Sequence, residues 1–343
     1  MLSTLNPAPL GSSFRHLLAL GLMVLWGHAQ AETLRVGFFP NLTHSPAIAA
    51  RQLEREGVKW HAQGSVGPEI EWRSFNAGPS AVEALLTGSV DIVYVGASPL
   101  INGHVRTRGR SLRILAPVAS GANALVVRPD LSLGKPDDFR GRRIATPQLG
   151  NTQDVSARAW LRQGGLKVTL SGGDAQVIPV ANPDMTMLFR RGQIDAAWTV
   201  EPWTSRLVSE FGGRIVAEDS EAVVTVLACT DRLIESRRED VRAFLLSHWA
   251  LRDRLTADAA LHRRLVSAGL AAETRSAPLA DDLLTQALAR LRLDRPEEPA
   301  ARRLRLEQAL GRSMQDAVAS GLLRESLPLS SLLSRLQEEP QTR

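Results

Sequence analysis

Four short stretches of the chain combine small polar residues with glycine or proline in a way that could bind an anion. They are Asn41-Leu-Thr-His-Ser-Pro46, Asn76-Ala-Gly-Pro79, Gly96-Ala-Ser-Pro99 and Gly150-Asn-Thr-Gln-Asp154. Each stands directly before a run with helical apolar spacing. Thr43 or Ser45, Ser98, and Asn151 or Thr152 are the side chains that can cap those helices, and proline suits the first turn of the first three. A helix start carries N–H groups with no partner inside the helix and about half a positive charge. Helix starts that converge from two sides hold an oxyanion without lysine or arginine. One capped turn alone says little, because every helix needs a cap. Several on one edge of a fold make a site.

A fifth stretch, Trp198-Thr-Val-Glu-Pro-Trp203, carries a different chemistry. Glu201 falls just past a strand end. Its carboxylate can accept from a ligand amine or hydroxyl, from an N–H across a cleft, or from the first turn of a helix beginning at Pro202. Trp198 and Trp203 can wall an apolar ligand tail or fill a core. His44 can donate to an anion or serve only its own helix start. No GxSxG elbow, HExxH, CxxC pair or GxxxxGK[ST] loop occurs, so no catalytic residue, metal site or cofactor is expected. The single cysteine, Cys229, lies in the apolar run Val223–Thr230 and reads as an inert buried thiol.

The elements that must position these residues alternate between strand and helix. Strands are expected at Leu34–Phe39, Glu69–Phe75, Asp91–Val95 and Leu112–Ala116, with helices at Pro46–Glu56, Pro79–Thr87 and Pro99–Thr107 between them. The pattern then restarts with strand Arg142–Ala145, helix Thr152–Gln163, strand Ala175–Val180, helix Pro183–Arg191 and strand Asp195–Val200. Aligning Leu34 with Arg142 and Leu85 with Phe189 sets Thr43-His44 on Asn151-Thr152, Asp91 on Asp195, Tyr94 on Trp198 and Ala97 on Glu201. This is a divergent internal repeat. It implies an α/β fold of two similar lobes, each a mainly parallel sheet covered by helices. Two apolar strands, Ala124–Arg128 and Ala222–Cys229, would join them as a two-stranded hinge. Lobe 1 is expected at 32–120 plus 229–343 and lobe 2 at 121–228. The almost wholly helical stretch from Glu239 would pack back on lobe 1, with a loop at Arg295–Pro299 and a frayed end.

Composition sets the setting. The 343 residues are 44% hydrophobic and 22% charged, with a formal charge of +5. That length suits two domains with a core each. The basic residues are almost all arginine, with only Lys59, Lys135 and Lys167 as lysines, and they are scattered. A nucleic-acid partner is therefore not expected. Leu17–Gly27 is an apolar run too short for a permanent span, and Ala29-Gln-Ala31 supplies a small-x-small cleavage pattern. Residues 1–31 thus read as a signal peptide with export to a periplasm, and no Cys follows Ala31 at the cleavage point to take a lipid anchor.

Four segments together resemble the solute-binding proteins of ABC importers for nitrate, taurine and aliphatic sulfonates, the sulfonate branch above all. They are Val36–Ala47, Gly88–Ile92 through Gly96–Pro99, Gly141–Thr152 and Glu201–Trp203. The resemblance covers essentially the whole chain after residue 31. It implies a type II periplasmic binding fold that closes about its hinge. Its implied partners are a small sulfonate-like oxyanion and a membrane permease, with the protein itself a monomer. Carried over by position, Thr43, His44, Ser98, Ser120, Gly121, Asn151 and Thr152 would surround the ligand head, while Glu201 and Trp198 would face the rest. The arginine- and leucine-rich C-terminal third departs from the family pattern. An enzyme on the same scaffold, like the pyrimidine-synthesising relatives, and a binder of nitrate or another small oxyanion are the alternative readings.

Overall fold

The computed structural model describes residues 33–62, 67–294 and 299–334. The signal peptide expected at residues 1–31, most of the loop at Arg295–Pro299 and the last nine residues lie outside these. The described chain forms two sheets. The first has six strands in the spatial order β13 (Leu291–Leu293), β4 (Leu112–Gly121), β12 (Val223–Thr230), β3 (Ile92–Val95), β1 (Leu34–Phe38) and β2 (Ile70–Ser74). The second has five, in the order β11 (Arg214–Glu218), β5 (Asn123–Val127), β10 (Ala196–Val200), β6 (Arg143–Thr146) and β9 (Gln176–Pro179). A small hairpin, β7 (Val168–Thr169) with β8 (Gly172–Gly173), stands apart.

The repeat is visible in the topology. Strands β2–β1–β3 pair in parallel, and so do β9–β6–β10. Helices α1 (Ser45–Arg55), α2 (Gly78–Leu86) and α3 (Ala97–Arg106) follow β1, β2 and β3. Helices α4 (Thr152–Gln163), α5 (Asn182–Arg190) and α6 (Trp203–Phe211) follow β6, β9 and β10 in the same way. The aligned aspartates do the same work in both halves. Asp91 accepts from the Arg35 N–H and Asp195 from the Arg143 N–H, each at 2.8 Å, and these are the residues the alignment pairs.

Outside those three-strand cores the pairing is antiparallel, which departs from the mainly parallel expectation. Strand β12 runs against β3 and β4, β4 against β13, and β5 against both β10 and β11. The reason is the route of the chain. It leaves the first sheet along β4, turns at Gly121-Ala122 into β5, and returns from β11 through Asp219–Ala222 into β12. The two crossings meet where the Gly121 N–H donates to the Ala222 carbonyl (3.1 Å). Both Gly121 (φ 73°) and Ala122 (φ 51°) are left-handed there. Glycine takes that conformation freely, whereas alanine holds it at a cost of about 1 kcal/mol.

Each sheet is covered on both faces. Leu34, Phe38, Ile48, Trp60, Phe244, Leu265 and Leu284 fill one face of the first sheet, beneath α1, α8 (Arg238–Ala257), α9 (Ala259–Thr274) and α10 (Asp281–Arg290). Val82, Leu85, Val93, Leu100, Leu306 and Leu310 fill the other, beneath α2, α3 and α11 (Pro299–Ala319). Cys229 is fully buried in the first cluster, and burial pushes its thiol far above the ordinary range, as an inert core thiol requires. Phe139, Leu161 and Trp198 fill one face of the second sheet, and Met185, Phe189 and Leu207 the other. The C-terminal helices do not confine themselves to the first sheet. Helix α11 lies against α4 as well as α3, and α10 lies against α6. The short helix α7 (Asp231–Ser236) links β12 to α8. Among the described residues no helix is long and apolar enough to cross a membrane.

Candidate ligand-binding cleft

The cleft lies where helix starts from both halves meet. A small cavity of about 30 Å³ is lined by Asn41, Thr43 and His44 at the start of α1, by Asn76 to Gly78 at α2, and by Gly96 and Pro99 at α3. From the other half it takes Asn151 to Gln153 at α4 and Asn182 at α5. Phe39, Pro147, Val200 and Val224 complete the wall. Five helix N-termini therefore converge, and no lining side chain is charged. The volume exceeds the roughly 10–15 Å³ that one water needs on the same kind of measure, and the halves touch directly beside it at Ser98–Thr152 and Asn41–Trp203.

The side chains supply neutral donors. Thr43 and His44 are each 2% exposed. The Phe39 N–H donates to His44 Nδ1 (3.3 Å), which leaves the ring proton on Nε2. Burial lowers the His44 pKa to about 3, so the imidazole is neutral at physiological pH. Neither Thr43 Oγ nor His44 Nε2 has a hydrogen-bond partner in the protein among the described residues, and both residues line the cavity. On the opposite side, Asn151 Oδ1 accepts from the Asp154 N–H (2.8 Å), which makes Asn151 the true cap of α4 and leaves its NH₂ group without a protein partner among the described residues. Thr152 Oγ accepts from the Ser98 N–H (3.5 Å), a contact between the two halves. Gly96 has to be glycine for that approach, because a Cβ there would stand 2.8 Å from Thr152 Oγ.

Asp154, in the first turn of α4, does not add negative charge to the cavity. It is 1% exposed and pairs with Arg158, itself fully buried, at 3.1 Å. Asp154 also accepts from Thr146 Oγ and the Gly150 N–H, while Arg158 donates to the carbonyls of Thr169 and Val177. This network fixes the Gly150–Asp154 turn.

A model of the NMT1-like family matches residues 27–270. The chain belongs to the NMT1-like family. It is 33% identical over 211 residues to the taurine-binding periplasmic protein of Escherichia coli strain K12, a match covering 62% of this chain. The match spans 60% of that relative's length. In fold it is similar to the alkanesulfonate-binding protein SsuA from Xanthomonas axonopodis pv. citri bound to MOPS, with a TM-score of 0.68, 20% identity, and 89% of this chain and 99% of that one covered. The periplasmic aliphatic sulphonate binding protein SsuA of Escherichia coli is similar to the same degree, with a TM-score of 0.65, 20% identity, and 90% and 99% covered. At such identities these structures establish the two-lobed periplasmic binding fold.

In this NMT1-like chain the cavity gathers Thr43, His44, Asn151 and Thr152 and leaves the other expected site residues off its wall. The Ser98 hydroxyl turns to Ser313 on α11 (2.8 Å) and only its N–H reaches Thr152. Ser120 Oγ donates to the Asp294 carboxylate (3.0 Å) beside a separate cavity of about 870 Å³. Gly121 shapes the crossing, where a Cβ would stand 2.8 Å from the Arg290 carbonyl oxygen. Trp198 donates to Asn123 Oδ1 (2.8 Å) and packs edge-on to Trp160; both tryptophans wall a cavity of about 310 Å³ that shares Thr152 with the cleft. Glu201 is fully buried. It accepts from the Ser205 N–H and Oγ at 3.0 and 2.9 Å, which is the helix-start reading of that carboxylate.

Asn41, Asn76 and Gln153 line the cleft from within the turns named in the sequence, though not as expected site residues, and Asn182 lines it from outside them. Asn182 had a visible signal: it stands before Pro183 at the start of the second half's second helix, the repeat position of the Asn76–Pro79 turn. Its Oδ1 accepts from Thr199 Oγ (2.7 Å), so its amide hydrogens are the group it can offer. Asn41 is fixed by the Trp203 Nε1–H at 3.0 Å, another bond between the halves.

Proposed function

We propose that this chain is the extracytoplasmic solute-binding component of an ABC importer, capturing an aliphatic sulfonate or sulfate ester between its lobes and delivering it to a membrane permease. The observation that carries this reading is the convergence of five helix starts on a cavity whose polar lining is neutral throughout. A tetrahedral oxyanion there meets backbone N–H groups, the Thr43 and Thr152 hydroxyls, His44 Nε2–H and the Asn151 amide. Excluding lysine and arginine keeps the desolvated site selective for a small monoanion that dipoles suffice to hold. The relatives' names, taurine-binding and alkanesulfonate-binding, support the same ligand class.

In this reading the lobes are the two sheets with their helices, dividing at Gly121–Ala122 and at Asp219–Ala222 instead of the expected 228–229, because β12 pairs within the first sheet and β5 within the second; the crossings, not those strands, are the hinge. Ser98 acts through Thr152, and Trp198 borders the space open to a ligand tail. The mature protein works as a monomer in the periplasm after removal of residues 1–31. The test is a thermal-shift panel of alkanesulfonates, taurine, sulfate esters and nitrate. A ligand at a hundredfold excess over its Kd stabilises the fold by about 2.7 kcal/mol. A shift with sulfonates and none with nitrate is the expected result. Absence of any shift across the panel contradicts the ligand class.

A further inference from the structure

Glu201 directly follows β10 of the second sheet. Arg290 ends α10, whose Leu283, Leu284 and Ala287 are buried in the core of the first. The two side chains meet at 3.2 Å, with Arg290 Nη1 also 3.3 Å from Ser205 Oγ and its Nε 3.3 Å from Glu218. Their backbones grip one residue between them. The Ala122 N–H donates to the Arg290 carbonyl (3.0 Å), and the Glu201 N–H donates to the Ala122 carbonyl (3.2 Å). Ala122 is the left-handed alanine at the first crossing. Nearby, the Leu42 N–H donates to the Glu201 carbonyl (3.1 Å), tying the start of the α1 turn to the same point.

We propose that Glu201 and Arg290 form a latch that holds the closed arrangement independently of ligand, so that both residues set affinity without touching the ligand. The inference rests on the reading above that the lobes close around a solute. The physical argument is differential. In the closed arrangement the Glu201 carboxylate is fully buried and Arg290 is the one cation bonded to it among the described residues. A buried carboxylate that loses its partner is strongly penalised, whereas opening the lobes returns it to water. Removing Arg290 therefore raises the closed state relative to the open one. Ligand affinity falls by the factor by which the binding-competent population falls. The bonds from Ser205 do not supply this coupling, because Ser205 lies in the same half as Glu201.

The latch is tested on the full mature chain with spin labels at Glu83→Cys on α2 and Met187→Cys on α5, which are exposed, while the native Cys229 is buried. Interlobe distances are measured without ligand and with ethanesulfonate, alongside calorimetric Kd values. R290Q is expected to shift the ligand-free distances toward the open state and to weaken ethanesulfonate binding about tenfold, with R290K between it and the parent. E201Q removes the buried carboxylate itself, so in the R290Q/E201Q double variant the ligand-free distances are expected to return toward the parent's. If R290Q does not fold, R290K and the double variant carry the comparison. Parent-like distances and affinity in the folded Arg290 single variants overturn the latch. If the parent binds no sulfonate, the ligand class fails, yet the ligand-free distances still decide the latch.

Discussion

The two turns that face each other across the cleft, Thr43-His44 and Asn151-Thr152, occupy equivalent places in the repeat and are supported in different ways. The first has no side-chain cap on its helix and is wedged by rings: His44 lies 4.5 Å from Phe39 and 6.4 Å from Tyr94, centre to centre. The second is held by a polar network, with Asn151 capping α4 and the buried Asp154–Arg158 pair beneath it. The difference shows how a repeat diverges. Both halves keep a helix start aimed at the same cavity, which is what the proposed function requires of its N–H groups. What braces the start is free to change. One consequence is that the Thr43 hydroxyl is wholly available to a ligand, whereas His44 commits Nδ1 to the Phe39 N–H and Asn151 divides its amide between fold and cleft.

That contrast can be broken by substitution. The largest effect is expected from R158M, which leaves Asp154 buried without its cation and costs about 3–5 kcal/mol of stability, measured by urea unfolding. Loss below about 1 kcal/mol would show that the polar brace is not what holds the second turn. N151A removes a helix cap and a cleft donor together. It should lower stability by about 1 kcal/mol and weaken sulfonate binding in the same titration. T43V removes only a cleft donor, so we expect about tenfold weaker binding with stability changed by less than about 0.5 kcal/mol. If both variants lose stability equally, the asymmetry between the turns is wrong. The smallest effect concerns pH. Burial holds His44 and His248 at about 3 and His262 at about 4, below the ordinary 6.5. The unfolded chain then binds more protons than the folded one between those limits. Their contribution to stability is complete above about pH 6.5 and is lost as pH falls toward 3, at up to about 1.4 kcal/mol per pH unit for each. Sulfonate affinity should nevertheless stay flat from pH 5 to 8, because His44 is neutral throughout. A rise in affinity as pH drops through 6.5 would identify a histidinium in the site.

Much of this was legible in the sequence because it is local. Helix Thr152–Gln163 falls where its cap and apolar period put it, and the Asp91 and Asp195 bonds confirm the repeat. The two turns were legible as helix starts for the same reason, since Thr-His and Asn-Thr before an apolar period announce one by residue type. What was not legible depends on partners far along the chain. Ser120 meets Asp294 across 174 positions, and Glu201 meets Arg290 across 89, so a carboxylate that could face a ligand proves to be occupied elsewhere. The antiparallel strands follow from the crossing of the chain between sheets, which alternating apolar runs do not reveal. Nor does an arginine-rich helical pattern show that α11 spans both halves.

The central claim is that dipoles and neutral donors, without any cation, hold an oxyanion between the two turns. Calorimetric titration of the mature chain with ethanesulfonate and with its neutral isostere ethanesulfonamide tests it directly. One site per chain for the sulfonate, with the sulfonamide at least a hundredfold weaker, is the result predicted. Equal affinities, or binding that survives in a T43V/T152V double variant, would contradict the account.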